Sequence, residues 1–518
     1  MIGVSGAGGM FPGTARAGGA GAYGAAILVA FVFAAMLAVT WVGFIESDDL
    51  EYARSGAFWL DDFPHLGQSH WGLRHLIVLP VAASFALFGR GEGPLLLPTV
   101  LYAAGIVAMT GLCVRRVAGT LAGLLAALLV ATLPVFVTGA SIVYSDIPEA
   151  FFVLASLWAY YFATQSGSAR LFLLSGVFAG CAFITRETTM ALLALYLVLF
   201  LAAPRRIMDF FRMAAGCLLV IGLDVMWLWA ASGDPLWRMH ISQRGVAGDN
   251  PSLAHFIINS GGLDRHGVIV APRPLQALLA IFVNQSMGLL AWAGVPAAIA
   301  LARRPRFAPG STAGTLFGGL ALVWFLMLSY VFLFMWIVPR YQTVTMVALC
   351  VPLAIWLAGR MSAGVRAVPA FVMLALLGSG AALSLVADRE LLFGERGLVA
   401  FARIAPGTVR TDPATLRGAD WLLELAGLRA KVSAGPCAPG GLCYVNPRPR
   451  RPLPADWTRQ EVPAGAIVLL EVPRQPTIMG EILVRTGLLG LLPAAVRAKL
   501  DPTPVVARGI QMPGSDPS

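Results

Sequence analysis

The residues best suited to chemistry lie at positions 46–53. The run Glu46-Ser47-Asp48-Asp49-Leu50-Glu51-Tyr52-Ala53 packs four carboxylates into six residues. It follows directly on an apolar run, 24–44, long enough to cross a bilayer. Carboxylates at the mouth of a membrane helix are costly to desolvate unless they stay wet or find partners. At such a boundary a carboxylate can serve as general base toward an acceptor hydroxyl or amine. Four acids exceed what a helix cap needs, and acids contribute little to topology. Asp48 and Asp49, at the end of the span, are the first catalytic candidates.

Three further constellations could join them. Tyr144-Ser145-Asp146-Ile147-Pro148-Glu149 lies between two apolar runs. Read locally, Asp146 caps a helix whose first turn holds Pro148; read with Asp48, it is a second catalytic acid. Gln68-Ser69-His70-Trp71-Gly72-Leu73-Arg74-His75 offers His70, Arg74 and His75 to an anionic headgroup or lipid-linked phosphate; the alternative for Arg74 is interfacial snorkelling. Thr185-Arg186-Glu187-Thr188 and Pro339-Arg340-Tyr341 place arginines at the outer ends of spans, against the positive-inside trend. Each needs an internal carboxylate or an anionic ligand. Arg186 could pair with Glu187, although adjacent helical residues face different ways. Tyr52, Glu187 and Tyr341 accompany them as substrate-binding candidates. Asp224, inside a span, reads as a structural pair.

The elements that position these residues are membrane helices. The chain is 58% hydrophobic and 12% charged, with mean hydropathy +0.76, whereas soluble domains carry about 25% charged residues. Apolar runs of spanning length occur at 24–45, 94–114, 119–139, 149–165, 170–186, 188–203, 213–231, 275–302, 313–338, 341–359 and 366–386. That makes eleven. The run 73–88 is short, holds Pro80, and reads as an interfacial or re-entrant helix. With the N-terminus cytoplasmic, twelve arginines fall on the cytoplasmic side against one acid, Asp209. Counting 73–88 as a span destroys this pattern. The net charge of +10 is therefore a topology signal. No basic run with interleaved aromatics supports nucleic-acid binding.

Residues 1–22 read as a disordered cytoplasmic tail before an uncleaved first span, and 512–518 as a disordered end. Residues 23–386 form the membrane domain. The outer loops 46–93 and 232–274 hold all six histidines. Residues 387–511 read as a small extracytoplasmic α/β domain, with β-like runs near 466–470 and 504–507 and a helical stretch at 416–428. The Pro-rich insert 447–454, with Arg448, Arg450 and Arg451, either touches anionic headgroups or is solvated. Cys437 and Cys443 flank Ala-Pro-Gly-Gly-Leu and suit a disulfide, which needs an oxidising compartment. Cys113, Cys181, Cys217 and Cys350 sit in apolar runs as packing residues. No Walker loop, dinucleotide fingerprint, His-Glu-x-x-His or nucleophile elbow is evident. An outer-face site has no ready nucleotide-sugar supply, so a lipid-linked donor is the natural energy source.

This pattern resembles the polytopic GT-C glycosyltransferases of the protein O-mannosyltransferase and lipid A aminoarabinose transferase superfamily, in particular bacterial members of the rhizobial galacturonosyltransferase kind. The resemblance rests on Asp48-Asp49-Leu50-Glu51-Tyr52-Ala53 after the first span, Ala86-Leu87-Phe88-Gly89 ending a juxtamembrane helix, Ser145-Asp146-Ile147-Pro148, and Thr185-Arg186-Glu187. It covers roughly residues 25–360. The lysine that this family often carries in the first outer loop is missing here, and Arg74 or His70 stands in its place.

The resemblance implies an all-α membrane domain with juxtamembrane helices and a soluble outer domain. It implies a polyprenyl-phosphate sugar donor and a lipid, glycan or protein acceptor at the periplasmic face of a bacterial inner membrane. Asp48 would orient or deprotonate the nucleophile, with Asp49 in support and Glu46 and Glu51 solvated. Attack would invert the anomeric carbon. Arg74, Arg186 or Arg340 would stabilise the leaving phosphate. No nucleotide or redox cofactor is implied. A divalent metal stays open, because some relatives use one, although the acids and histidines lack ligand spacing. The competing readings are a lipid-linked-sugar flippase or transporter, which needs ionisable residues deep in several spans, and a non-catalytic envelope assembly subunit.

Overall fold

A computed structural model of the chain describes residues 19–202, 207–242, 262–263, 269–270, 272–304, 310–332, 337–450, 452–455, 457, 461–500 and 505–513. The membrane domain is helical. It begins with α1 (Gly19–Val39), α2 (Asp48–Asp61), α3 (His75–Phe88), α4 (Glu92–Ala118), α5 (Thr120–Ala131), α6 (Pro134–Ala140) and α7 (Asp146–Ser166). It continues with α8 (Ala169–Thr185), α9 (Met190–Ala202), α10 (Ile207–Ser232), α11 (Arg273–Phe282), α12 (Leu290–Ala302), α13 (Ser311–Leu326), α14 (Thr343–Ser362) and α15 (Ala367–Ser384). Two helices form its centre. α14 is buried almost without a break from Thr343 to Ala358, and α7 from Asp146 to Tyr161. Residues apolar on every side of a helix demand such a place. α8 and α10 approach through glycines. A Cβ at Gly176 would collide with the Met213 carbonyl, and one at Gly216 with that of Leu173, the close approach that small residues allow between membrane helices.

Six helices among the described residues are individually long and apolar enough to cross a membrane, and α5 with α6 passes the same test as a pair bent by 65°. The chain is a multi-pass membrane protein. The remaining spanning-length runs are helical but shorter. The run at 275–302 is a correction: it is not one helix. α11 and α12 are separated by a 3-10 turn at Gln285–Met287, where Asn284 accepts from the Ser286 amide and diverts the backbone. The run at 24–45 is also helical only as far as Val39; residues 41–46 form an irregular loop leading into α2.

The tail forms a small α/β domain. Its five strands are β1 (Val409–Thr411), β2 (Val432–Ala434), β3 (Leu442–Val445), β4 (Ile467–Pro473) and β5 (Val506–Gln511), in the order β2-β1-β3-β5-β4. β1 pairs in parallel with β2 and β3, while β5 runs antiparallel to β3 and β4. Helices α16 (Phe393–Ile404) and α17 (Pro413–Leu425) bury Phe401, Leu398 and Leu423 with Tyr444 of the sheet. Cys437 and Cys443 are bonded to each other, with their Cα atoms 5.8 Å apart. Met512, at the end of the sheet, still donates to the Gly441 carbonyl.

This domain grips the loop before α2. Arg396 of α16 binds Glu92 at 2.6 Å, and Glu92 in turn accepts from the Phe44 amide at 2.9 Å. Phe44 stacks on Trp421 of α17 with centroids 4.4 Å apart, and Arg54 of α2 reaches Asp420 at 3.1 Å.

Candidate active site

Asp48 opens α2, in the first turn where free backbone amides favour an anion. Its Oδ2 accepts from Arg340 Nη2 at 3.1 Å. Its Oδ1 accepts no hydrogen bond among the described residues, and its side chain is 21% exposed. Asp49 differs from it completely. It is fully buried and accepts from the amides of Ile45 (2.6 Å), Ser47 (2.6 Å) and Leu50 (3.1 Å). Burial pushes its carboxyl up to about 6, against the pull of those donors. Asp49 thus clamps the loop that presents Asp48. Glu46, expected to be solvated, is instead buried and takes φ 55. The left-handed conformation costs a non-glycine residue about 1–2 kcal/mol, and Asp49's grip on both of its neighbours offsets that.

Asp146 opens α7 but does not cap it. No side-chain cap bond forms there. Its carboxylate instead binds Arg186, which also stands 3.7 Å from Glu149, and Arg340 Nε lies 3.7 Å from Asp146. Arg186 thus pairs with α7 and not with Glu187. Thr188 and Thr189 donate to Glu149 Oε1. The arginines are also covered by aromatic faces: Arg186 sits 4.1 Å from the Tyr341 ring centroid and Arg340 3.8 Å from that of Tyr144, at cation–π range. Asp48, Arg340, Asp146, Arg186 and Glu149 form one chain of alternating charge.

Arg74 closes this group. It is buried, and its Nη1 donates to the Tyr52 hydroxyl at 2.5 Å and to Ser145 Oγ at 3.3 Å. Its Nε has no partner, and it makes no ion pair among the described residues. The Tyr52 hydroxyl is pushed up by burial and stays protonated. His70 stacks on Trp71 at 3.7 Å; burial, then the charge of Arg74, pushes its imidazole down to about 4. With the ring neutral and no carboxylate within ion-pair distance of it among the described residues, Arg74 is left as the anion-binding group. Glu187 is 42% exposed; it stands 3.8 Å from Arg238 and acts on Arg74 and His70 at longer range.

His75 lies apart from this group. Its Nδ1 is 2.8 Å from Asp224 of α10, which also binds Arg238 Nε at 3.0 Å. Arg238 Nη2 donates to the Leu73 carbonyl at 2.6 Å, and its Nη1 to that of Ile184 at 3.4 Å. This second cluster ties α10 to the backbone just before Arg74 and just before Arg186. The sequence reading grouped His75 with the phosphate-contacting residues, but the ring faces Asp224. The same reading missed Glu149, Tyr144, Ser145 and Arg238. Glu149 was detectable, because it stands three residues from Asp146 on the same helix face. Arg238 carried no local signal. Among the described residues no three His, Cys, Asp or Glu side chains converge as a metal site. Residues His255 and His266 of the second outer loop lie outside the described residues.

A bundle of membrane helices, short helices beside it and a small C-terminal α/β domain is the arrangement that the comparisons with known proteins also find. Residues 77–229 match the model of the dolichyl-phosphate-mannose-protein mannosyltransferase family. That stretch holds Asp146, Glu149, Arg186, Glu187 and Asp224, while Asp48, Arg74 and Arg340 lie outside it. No curated protein matches the sequence. The crystal structure of ArnT from Cupriavidus metallidurans in the apo state is similar with a TM-score of 0.53 at 16% identity, covering 77% of this chain and 85% of that one. The structure of that protein bound to undecaprenyl phosphate gives 0.55 at 15% identity, covering 82% and 94%. The resemblance of the sequence to this superfamily is borne out, as is the helical fold with its outer domain.

Proposed function

We propose that this chain transfers a sugar from a polyprenyl-phosphate donor to an acceptor at the periplasmic face of a bacterial inner membrane, with inversion. In this reading the N-terminus is cytoplasmic and the tail domain periplasmic, as the arginine distribution favours. One observation carries the chemistry. A carboxylate with one oxygen fixed and one open, Asp48, shares a site with a buried arginine that makes no ion pair among the described residues, Arg74. A buried cation without an ion-pair partner is costly, and a donor phosphate removes that cost. The ArnT relative bound to undecaprenyl phosphate supports a polyprenyl carrier.

The reaction then runs as a single displacement. Asp48 Oδ1 accepts the proton of the acceptor hydroxyl or amine. The freed electron pair forms the new bond to the anomeric carbon, and the bond from that carbon to the phosphate oxygen breaks. Polyprenyl phosphate leaves with those electrons, its charge met by Arg74. Arg340 and Asp146 hold Asp48 in register, and Arg186 holds Asp146. The test supplies a radiolabelled polyprenyl-phosphate sugar and a membrane extract to wild type and Asp48→Asn. Loss of a general base predicts a fall in transfer of about 10²–10⁴-fold. Unchanged transfer in the variant would refute the role given to Asp48.

A further inference from the structure

A cavity of about 620 Å³ lies between the tail domain and the outer ends of the membrane helices. Its floor includes Ser47, the residue before Asp48, together with Tyr144 and Arg340. Its opposite wall comes from the tail domain and carries Arg448, Arg450 and Arg474. Asp388 is the only acid in the lining. It pairs with Arg474 at 2.5 Å, and Arg340 is taken up by Asp48 and Asp146. Arg448 and Arg450 are exposed, and neither guanidinium makes an ion pair among the described residues. The lining therefore has an excess of positive charge, held on the tail-domain wall by Arg448 and Arg450. Neutral side chains such as Gln475 and Ser286 supply groups suited to sugar hydroxyls. The volume falls within the range of small-molecule sites, about 300–1,000 Å³.

None of Arg74, His70, Tyr52 or Glu187 lines this cavity. It reaches Ser47, the neighbour of Asp48, and Arg340, the partner of Asp48, on a lining separate from the residues around Arg74. We propose that it is the acceptor site, and that the acceptor is an anionic sugar: one bearing a phosphate or carboxylate that Arg448 and Arg450 bind while its nucleophile faces Asp48. This rests on the transferase reading above. Two free guanidiniums on one turn-rich insert suit a planar or tetrahedral oxyanion. Of the insert 447–454, which the sequence left between headgroup contact and plain solvation, Arg448 and Arg450 line the site.

Binding tests this without requiring turnover. Full-length protein in phosphatidylcholine nanodiscs is titrated with glucose 6-phosphate, whose phosphate lies away from the anomeric carbon as the donor's does not, and with glucose, by ligand-observed NMR. Glucose 6-phosphate binds and glucose does not. The variant Arg448→Gln/Arg450→Gln binds the sugar phosphate about tenfold more weakly or worse, the loss expected for charge-assisted hydrogen bonds, with an unchanged melting temperature. Arg74→Gln leaves that affinity intact. Equal affinity in the double variant, or loss confined to Arg74→Gln, would overturn the assignment. Because transfer is not read, the anion site stands or falls separately from Asp48's role. Replacing part of the phosphatidylcholine with phosphatidylglycerol separates the sources: competition identifies a lipid headgroup, and no competition identifies a glycan outside the bilayer. Competition would make this a lipid-headgroup site and overturn the sugar assignment.

Discussion

Two charged clusters flank the loop that leads into α3, and they use the same residue types to opposite ends. Around Asp224, every side chain is closed off: Asp224 is 4% exposed, His75 9% and Arg238 14%. Around Asp48, the charges are matched but the outer members stay open: Asp48 is 21% exposed and Arg340 25%. In the first cluster both carboxylate oxygens are used, and the arginine also binds two backbone carbonyls. In the second, one oxygen of Asp48 and the Nε of Arg74 are left over. A network whose carboxylate is saturated holds parts together, even though His75 Nε2 is buried there without a hydrogen-bond partner among the described residues. An unsaturated one retains the capacity to bind a ligand and accept a proton. The tail offers a third case in Glu395, a buried acid that makes no ion pair among the described residues and accepts only from the Arg450 backbone amide there.

The comparison predicts distinct costs. Asp224→Asn leaves the half-buried Arg238 with only Glu187, at 3.8 Å, as an ion-pair partner among the described residues and should destabilise the protein by about 3 kcal/mol, the low end for breaking a buried pair, read as a lower melting temperature in detergent. Transfer per folded molecule should stay near wild type. A stable but inactive Asp224→Asn would erase the distinction between the clusters.

Glu395 tests what a buried acid does without an arginine. Burial pushes its carboxyl from 4.5 up to about 7. Between those values the folded state keeps a proton that the unfolded state has released. Stability is therefore at its full value below pH 4.5 and declines as pH rises to 7. Glu395→Gln should abolish that slope and add up to about 3 kcal/mol at pH 8, measured by chemical denaturation across pH. A slope that persists in the variant would assign it to other groups.

Arg340→Ala should lower transfer by about 10²-fold with a smaller loss of stability, because it orients Asp48 from a partly exposed position. Arg74→Lys keeps the charge but loses the planar donor set, and should lower kcat by about tenfold, because Arg74 meets the charge that develops on the leaving phosphate. A raised donor KM with kcat unchanged would instead confine Arg74 to ground-state phosphate binding.

Much of this was legible in the chain, for reasons that can be named. Asp48, Asp146, Arg186 and Arg340 each break a rule of membrane composition, and a broken rule shows without coordinates. Their convergence was inferable from topology, but their pairing was not. Arg186 sits next to Glu187 in sequence yet pairs with Asp146, forty positions away. Asp48 and Asp49 are adjacent and chemically identical, and only the loop's path makes one a clamp and the other an open carboxylate. The break between α11 and α12 was invisible because both sides of it are apolar. Arg238 and the arginines of 447–454 lay in polar segments, where an arginine looks ordinary until the fold shows what it faces.

The most direct test places Asp48→Asn beside Asp224→Asn in one preparation, reading sugar transfer and melting temperature for each. The account predicts that Asp48→Asn melts like wild type and does not transfer, whereas Asp224→Asn melts lower and transfers at the wild-type rate per folded molecule. Wild-type transfer by Asp48→Asn would contradict it.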